Sequence, residues 1–195
     1  MKKKIILRSQ NQLIDYFKNN TLKLDKNSSL SFETNLKLGS NIIFSGKVIL
    51  GKNNIVESNC HLKNVNVGHN NHIKLSTIIR DSKLSNNIII GPFAYIRNNT
   101  SIDNKSIIGA YAEVTRSVIY QKVYASHRTF IGDAKIGSNT IIGAGVVFCN
   151  YNFKKNKKEK TVIEKNCKIG ANSTLIAPCK IKPNTIIPAL TKYKQ

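Results

Sequence analysis

The chain of 195 residues carries 31 Lys and Arg against 10 Asp and Glu, a formal net charge of +21, and 41% of its residues are hydrophobic. This length suffices for one domain with its own core or for two small ones, and the apolar fraction excludes a wholly disordered chain. The apolar runs are too short for a membrane-spanning helix or a signal peptide. We therefore expect a cytoplasmic protein without membrane contact.

The positive charge has two explanations that the sequence leaves open. A cationic surface attracts anions such as nucleic acid or phosphorylated small molecules. A chain rich in Lys, Asn and Ile also gains positive charge by mutational drift in an AT-rich genome. The basic residues are scattered apart from one dense run, Lys154–Lys160, and no aromatic residues alternate with them as in single-strand-binding platforms. The sequence does not favour a nucleic-acid partner.

Taken in chain order, the first segment is residues 1–37, in which hydrophobic periodicity is weak. We predict an irregular or partly helical lead-in there, with Gln10–Asn19 as a short amphipathic helix. The repeat described next begins at Leu38, so we assign residues 38–195 to a second, repetitive domain.

From Leu38 onward an aliphatic residue recurs mostly every sixth position, often followed by Gly, as in Ile90-Gly91, Ile108-Gly109 and Ile142-Gly143. Call this aliphatic position i. Position i+4 is then small or β-branched: Val48, Ala94, Thr100, Ser106, Ala112, Val118, Thr129, Thr140, Val146, Ser173 and Thr185. Three such hexapeptides complete one coil of a parallel β-helix, with both positions pointing inward and Gly or Asn at the turns. The predicted fold class is therefore all-β, a parallel β-helix of hexapeptide repeats.

The repeat is interrupted at residues 150–160, a polar stretch that we predict to be a loop ejected from the coils. Loops on a rigid scaffold are where binding and catalytic residues concentrate. This loop is therefore a candidate part of a site.

The cysteines are mostly explained by the same register. Cys60, Cys167 and Cys179 fall at i+4, which predicts small buried core residues. Cys149 lies beside the loop, and for it a structural and a functional role both stay open. Neither a zinc-binding spacing nor a disulfide framework is indicated.

The register also predicts where His127 points. Ala125 occupies position i, so His127 is i+2 and faces outward, while Thr129 is the inward i+4 residue. An ordinary exposed histidine and a functional one both stay open on spacing alone. No other histidine is near His127 in the sequence, so we predict no metal site.

Six motifs occur in an order that is specific to one family. They are G-P-F-A-Y-I-R (91–97), G-A-Y-A-E-V (109–114), S-H-R-T-F-I-G-D-A-K-I-G (126–137), I-G-A-G-V-V-F-C-N-Y (142–151), K-T-V-I (160–163) and L-I-A-P (175–178). From about Leu38 to Ala189 the chain resembles the C-terminal half of the bacterial bifunctional N-acetylglucosamine-1-phosphate uridylyltransferase and glucosamine-1-phosphate N-acetyltransferase. No segment here resembles the uridylyltransferase half, so we expect a separate protein to perform that step.

The resemblance implies a left-handed β-helix, a homotrimer with sites between subunits, and acetyl transfer from acetyl-coenzyme A as co-substrate, without a metal. The acceptor would be the amine of glucosamine-1-phosphate, and the product a precursor of UDP-N-acetylglucosamine for peptidoglycan and the cell wall. Within that reaction the resemblance makes His127 the general base, since an imidazole titrates near neutral pH. It makes Glu113 the acidic neighbour that orients His127, and Asn150 and Tyr151 the lining of the acetyl and sugar pocket.

The resemblance also implies the groups that bind each substrate. Arg97 matches an arginine that binds the sugar phosphate, for which a bidentate guanidinium is well suited. Lys158 or Lys160 would add a second phosphate contact. Ala171 and Ala189 fall where the backbone of the family cradles coenzyme A.

The sequence departs from the family at three positions. Thr115 stands where the family has lysine, Phe130 where it has tyrosine, and Ile141 where it has asparagine, and all three family residues contact the sugar phosphate. Arg116 is a candidate replacement for the missing lysine. Two alternatives therefore stay open: an acetyltransferase for a different or nucleotide-linked amino sugar, and a catalytically weak trimeric scaffold subunit.

Overall fold

The computed structural model describes the backbone of residues 5–7 and 22–194, and the side chains of residues 22–194. The helix predicted at Gln10–Asn19 lies outside the described residues. Within these residues, every element of regular secondary structure is a β-strand. Among the same residues, no helix reaches the length and apolarity that spanning a bilayer requires.

The strands are short and recur at each side of every coil. The N-terminal coils contain β1 (Ile5–Leu7), β2 (Leu22–Leu24), β3 (Ser29–Phe32), β4 (Leu36–Leu38), β5 (Ile42–Leu50), β6 (Ile55–Val56), β7 (His61–Val67), β8 (His72–Ile73) and β9 (Ile78–Leu84). The central coils contain β10 (Ile89–Ile90), β11 (Tyr95–Arg97), β12 (Thr100–Ile102), β13 (Ile107–Ile108), β14 (Glu113–Thr115), β15 (Val118–Ile119), β16 (Tyr124–Ala125), β17 (Phe130–Gly132), β18 (Ala134–Ile136) and β19 (Ile141–Ile142). The C-terminal coils contain β20 (Val147–Cys149), β21 (Tyr151–Asn152), β22 (Lys157–Lys158), β23 (Thr161–Ile163), β24 (Lys168–Ile169), β25 (Thr174–Ile176), β26 (Cys179–Ile181), β27 (Ile186–Ile187) and β28 (Lys192–Tyr193).

These strands stack into a helix with three flat faces. The first face is a ten-stranded sheet, β1-β4-β6-β8-β10-β13-β16-β19-β24-β27, parallel except for the pair β1–β4. A sixteen-stranded sheet forms the other two faces, because β5, β7 and β9 each continue around a corner. The second face then carries β11, β14, β17, β20, β25 and β28, and the third carries β12, β15, β18, β23 and β26. The predicted parallel β-helix is confirmed.

Aliphatic columns fill the interior along the helix axis. On the first face Ile90, Ile108, Ala125 and Ile142 are register partners in successive coils, and each is fully buried. Each buried isoleucine of this column contributes about 1.5–3 kcal/mol relative to exposure. This stack fixes the register of the coils, since a slip of one residue would turn the column outward.

Most predicted i+4 residues are also buried. Where such a residue is Ser or Thr, its hydroxyl group can bond to the backbone of the corner. Thr129 Oγ1 donates to the carbonyl of Ser126 (3.2 Å), and Ser173 Oγ donates to that of Pro188 (3.0 Å). Small side chains therefore fill the narrow corner and satisfy its carbonyl groups.

The inward assignment of Val118 is wrong. Val118 is 39% exposed, and Ser117 takes the buried position. Arg97 is the register partner of Thr115, and Ser101 is the register partner of Val118. The corner from Thr115 to Val118 is therefore one residue shorter than the corner from Arg97 to Ser101 in the preceding coil. A strict six-residue count of the sequence does not detect this missing residue and therefore assigns Val118 to the inward position.

Coils are also present before Leu38, where the sequence analysis placed the start of the repeat. In residues 22–37, β2 and β3 pair in parallel with β5, so coils are present from Leu22. The ejected segment 150–160 forms a small antiparallel hairpin of β21 and β22. The division into two domains at residue 38 stays a prediction.

Candidate active site

His127 lies on the corner that joins the first face to the second, here called the first corner. It is exposed, as predicted, while Ala125 and Thr129 on either side are buried. The backbone N–H of Ala110, one coil below, donates to Nδ1 of His127 at 3.1 Å. Because Nδ1 accepts this bond, the neutral ring carries its proton on Nε2.

A row of small side chains continues from His127 along the first corner. Gly145 donates its N–H to the carbonyl of His127, and the next coils repeat this pairing so that Ala144, Ala171 and Ala189 follow at equivalent positions. We call these three the alanine strip. Coils are about 4.8 Å apart, so the strip extends on the order of 14 Å beyond His127. It contains the predicted Ala171 and Ala189, and also Ala144, to which the sequence analysis gave no role.

Arg97 and Glu113 form an ion pair on the second face. Nε and Nη2 of Arg97 donate to Oε1 of Glu113 at 3.0 and 2.6 Å, and the guanidinium lies 5.3 Å from the ring centroid of Tyr95. Glu113 is the register partner of Phe130. Within residues 22–194, Glu113 and His127 share no hydrogen bond, so the predicted orienting contact between them stays a prediction.

A second polar cluster lies at the next corner, between the second and third faces, here called the second corner. Arg116 donates through Nε and Nη2 to the two carboxylate oxygens of Asp133 at 2.7 and 2.8 Å. Asn150 donates from Nδ2 to Oδ2 of Asp133 at 2.5 Å. The three residues follow one another at intervals of one coil, 17 residues, so the register itself brings them together. Asp133 is a site residue that the sequence analysis missed, and this interval would have revealed it.

Arg116 also covers Thr115, one of the three positions at which the resemblance predicts a different residue. Nη1 of Arg116 donates to Oγ1 of Thr115 at 3.0 Å, and Thr115 is completely buried. The guanidinium thus lies over this position with three of its five N–H groups engaged. Its charge is opposed by Asp133.

The charge state of Asp133 follows from its neighbours. Burial, the largest influence, raises its pKa, but hydrogen bonds from Arg116 and Asn150 and the charges of Arg116 and Lys158 outweigh burial and hold the pKa below its usual value. The bond to Asp133 likewise raises the pKa of Arg116. Lys158 is therefore within electrostatic range of the cluster, which favours it over Lys160 as the predicted lysine.

Gly132 allows the cluster to form. A Cβ atom at Gly132 would lie 2.5 Å from Nδ2 of Asn150 and 2.9 Å from the ring of Phe130. The amide of Asn150 thus lies directly across the strand at Gly132. Any side chain at position 132 would displace the Asn150 amide.

Within residues 22–194, the predicted site residues of the hairpin, Tyr151 and Lys160, have no side-chain hydrogen bond to the cluster at the second corner. The hydroxyl of Tyr151 donates to Asn156, and its ring packs edge-on against Phe153, with 5.2 Å between centroids. Tyr151 pairs with Lys158 across the hairpin, whereas Lys160 is exposed beyond its end. Within the described range, neither Tyr151 nor Lys160 hydrogen-bonds to Arg116 or Asp133 through its side chain.

Comparison with known proteins agrees with this architecture. The model for "Bacterial transferase hexapeptide (six repeats)" matches residues 160–191. The bifunctional protein GlmU of Ruthia magnifica is 38% identical over 167 residues, which cover 86% of this chain and 36% of that protein. GlmU of Clostridium kluyveri is 36% identical over 186 residues, covering 95% of this chain and 39% of that protein. The chain thus spans well under half the length of these curated relatives, and the predicted resemblance is confirmed.

The fold has a counterpart among solved structures. The UDP-N-acetylglucosamine acyltransferase of Francisella novicida superposes with a TM-score of 0.54 at 14% identity, over 86% of this chain and 61% of that one. At this identity the similarity concerns the fold, a β-helix of the same type.

Proposed function

Because the chain belongs to the hexapeptide-repeat family of bacterial transferases, whose coils form a left-handed β-helix, we propose that it transfers acetyl groups from acetyl-coenzyme A to the amine of glucosamine-1-phosphate. The product, N-acetylglucosamine-1-phosphate, would serve UDP-N-acetylglucosamine and cell-wall synthesis. One observation carries the proposal: an exposed imidazole, His127, begins a strip of small residues on the first corner, and the adjacent second face and its far corner carry two arginine–carboxylate pairs. An elongated thioester fits the strip of small residues, and a polar sugar phosphate fits the arginine–carboxylate pairs.

The donor substrate would lie along the first corner. The alanine strip presents methyl groups and backbone rather than long side chains, so an extended chain can approach the coils closely. Its start beside His127 would bring the thioester carbonyl to the imidazole. No bulky residue of the strip needs to move.

The acceptor would lie across the second face. Arg97, Arg116 and Lys158 supply three positive charges, and Glu113 and Asp133 supply two negative ones. The balance is cationic, which suits a phosphate. The carboxylates hold each guanidinium in a fixed orientation, and the remaining N–H groups stay available to phosphate oxygens.

The chemistry removes two protons from the sugar ammonium. His127 would accept the first, the nitrogen would attack the thioester carbon, and the C–S bond would break as the amide C–N bond forms. The second proton of the nitrogen would pass to the departing coenzyme A thiolate, and His127 would release the first to solvent. With Nδ1 held by Ala110, the free lone pair must come from turning the ring or from breaking that bond.

The first face supports the proposal of a homotrimer. Ile89, Ile107, Tyr124 and Ile141 are outward register partners in successive coils, and Tyr124 and Ile141 are 38% and 43% exposed. A continuous outward apolar column of this kind is typical of a protein interface. We propose that three copies pack through it, which would put His127 at the rim between subunits.

The direct test is release of free thiol from acetyl-coenzyme A in the presence of glucosamine-1-phosphate. We expect turnover in the wild type and a loss of about a hundredfold to ten-thousandfold in His127→Ala. His69→Ala is the matched control, because Nδ1 of His69 accepts a backbone N–H from Lys52 at the same 3.1 Å, far from the site. Absence of turnover would refute the proposal and leave the scaffold or a different amino sugar as alternatives. Equal activity in His127→Ala would refute the role of His127 as the base.

A further inference from the structure

Two outward columns border the alanine strip, one on each side. On the first face, three residues before each strip position, the register partners are Tyr124, Ile141, Lys168 and Ile186. On the second face, three residues after each strip position, the register partners are Phe130, Val147, Thr174 and Lys192. Every coil of the strip therefore lies between two outward side chains.

These borders change from apolar to cationic with distance from His127. One coil beyond His127 both flanking residues are apolar, Ile141 and Val147, and they are 43% and 39% exposed. Two coils beyond it the first-face side chain is Lys168, and three coils beyond it the second-face side chain is Lys192; both are exposed. A molecule that extends along the strip from His127 would thus contact apolar side chains first and cations afterwards.

The C-terminal coils are positively charged as a whole. Residues 165–195 contain six lysines and neither Asp nor Glu. Glu164, immediately before them, is paired with Lys180 at 3.4 Å, and no carboxylate within residues 22–194 forms an ion pair with either lysine of the two borders. The strands on either side of residues 8–21, β1 and β2, lie in the N-terminal coils at the other end of the helix. The far end of the strip therefore has a positive field that attracts anions.

Coenzyme A presents its chemical groups in the matching order. Its thioester leads to the pantetheine arm, and the arm ends at a diphosphate and an adenosine that carries a further phosphate. The arm is about as long as four extended residues, on the order of 15 Å, and the strip extends on the order of 14 Å from His127 to Ala189. A thioester at His127 would therefore put the diphosphate at the level of Lys192. The flexible four-carbon stem of Lys168 allows its ammonium to approach the same level from the other side.

We propose that Lys168 and Lys192 bind the phosphate groups of coenzyme A from opposite sides of the alanine strip, and that they select acetyl-coenzyme A against pantetheine thioesters that lack the nucleotide. This inference rests on the proposed acetyl transfer and adds the residues that recognise the donor. Contacts from an ammonium to phosphate oxygens are charge-assisted and about twice as strong as neutral hydrogen bonds. The phosphates keep all their bonds during the reaction, so the two lysines contribute to donor binding and not to the chemical step.

The test compares acetyl-coenzyme A with S-acetylpantetheine as donors. Lys192→Gln should raise the KM for acetyl-coenzyme A about tenfold, the effect of one charge-assisted contact, and change kcat by less than about twofold. The kcat/KM for S-acetylpantetheine should change by less than about twofold, because that donor has no phosphate to lose. Lys168→Gln should behave in the same way, and Lys192→Arg should keep most of the affinity for acetyl-coenzyme A. Equal losses for the two donors, or no loss for acetyl-coenzyme A, would overturn the inference.

Lys182→Gln is the matched control. Lys182 lies in the same coil as Lys192, between β26 and β27 on the corner that joins the third face to the first, and its side chain is exposed. Its substitution lowers the net charge by the same amount at a distance from the strip. It should alter the KM of neither donor, and a loss equal to that of Lys192→Gln would mean that overall charge, rather than a contact at the strip, attracts the donor.

Binding without turnover separates this inference from the proposed function. Calorimetry with coenzyme A itself, in the absence of any acceptor, should show tighter binding than pantetheine, and Lys192→Gln should weaken the binding of coenzyme A about tenfold. If coenzyme A binds in this way but no acetyl transfer occurs, the proposed activity fails and the phosphate contacts stand. If transfer occurs but coenzyme A and pantetheine bind equally well, the proposed activity stands and the phosphate contacts are refuted.

Discussion

The backbone N–H of Ala110 and the imidazole Nδ1 of His127 form a hydrogen bond of 3.1 Å between neighbouring coils. His69 makes the same kind of bond with Lys52 at another corner. The bond is therefore a way to hold an outward histidine against a corner, and it does not itself mark catalysis. What distinguishes His127 is that it begins the alanine strip and lies beside the second face, which carries the Arg97–Glu113 pair.

This bond predicts the tautomer of the free protein. Neutral His127 should carry its proton on Nε2, because Nδ1 accepts from Ala110. Long-range ¹H–¹⁵N NMR spectra above pH 8 should show an unprotonated Nδ1 for both His127 and His69. A protonated Nδ1 in His127 would contradict the geometry and would mean that Nε2 is already free to act as a base.

A second prediction concerns Asp133 and pH. Its pKa is lowered in the folded state, so its contribution to stability is complete above the unfolded carboxyl pKa and is lost as pH falls through the folded value. Asp133→Asn should lower the free energy of unfolding by about 1–2 kcal/mol at pH 7 and by clearly less near pH 3. Urea unfolding at both pH values measures this.

Asp103→Asn is the control for that experiment. Its carboxylate accepts the N–H of the adjacent Asn104 and forms no ion pair within residues 22–194. We expect a pH-independent effect below about 0.5 kcal/mol. A loss in Asp133→Asn that does not shrink at low pH would show that packing, rather than the ion pair, stabilises the corner.

The fold was predictable because the interior imposes a strict pattern. Aliphatic residues such as Ile108 and Ile142 must stack on one another, so their spacing in the sequence reports the coil directly. Thr129 could likewise be assigned inward, since the corner admits only a small side chain. Val118 could not, because one shortened corner alters the count without changing the residue type.

The site was predictable only in part. The motif order pointed to His127 and Arg97, but the partners of the charged residues depend on which side chains the coils bring into register. The bonds of Arg116 to Asp133 and of Arg97 to Glu113 are of this kind. The one-coil interval of 17 residues places Arg116, Asp133 and Asn150 at one corner. The bonds themselves depend on side-chain rotamers, which a repeat pattern does not specify.

A third prediction follows from the close approach of Asn150 to Gly132. Gly132→Ala should displace the Asn150 amide and lower kcat/KM for the acceptor by about tenfold or more, because that amide orients Asp133. The double variant Gly132→Ala/Asn150→Ala should be no worse than Asn150→Ala alone. Additive losses in this cycle would show that Gly132 acts through something other than Asn150.

The cysteines give a fourth prediction. Burial raises the pKa of Cys60 to about 11 and also raises those of Cys167 and Cys179, whereas Cys149 is exposed. At pH 8 only about one in a thousand Cys60 side chains is a thiolate. A chromogenic disulfide reagent should titrate one thiol quickly in the native protein and all four after denaturation.

Cys149→Ser should remove the fast phase and leave three slow thiols. This variant also lowers the background of the thiol-release assay. Rapid reaction of a second thiol would mean that a core coil opens readily, and would contradict the burial of the i+4 positions.

The last prediction tests the outward apolar column of the first face. Ile107→Lys places a charge between Ile89 and Tyr124, where a neighbouring subunit would have to bury it. We expect sedimentation to change from a trimer to a monomer, with loss of activity and with the far-UV spectrum retained. Val162→Lys is the matched control, because its register partners Lys135 and Lys180 make that part of the third face cationic and solvated. A trimer that survives Ile107→Lys but dissociates in Val162→Lys would place the subunit contact on the third face, and a wild-type monomer with full activity would refute a site shared between subunits.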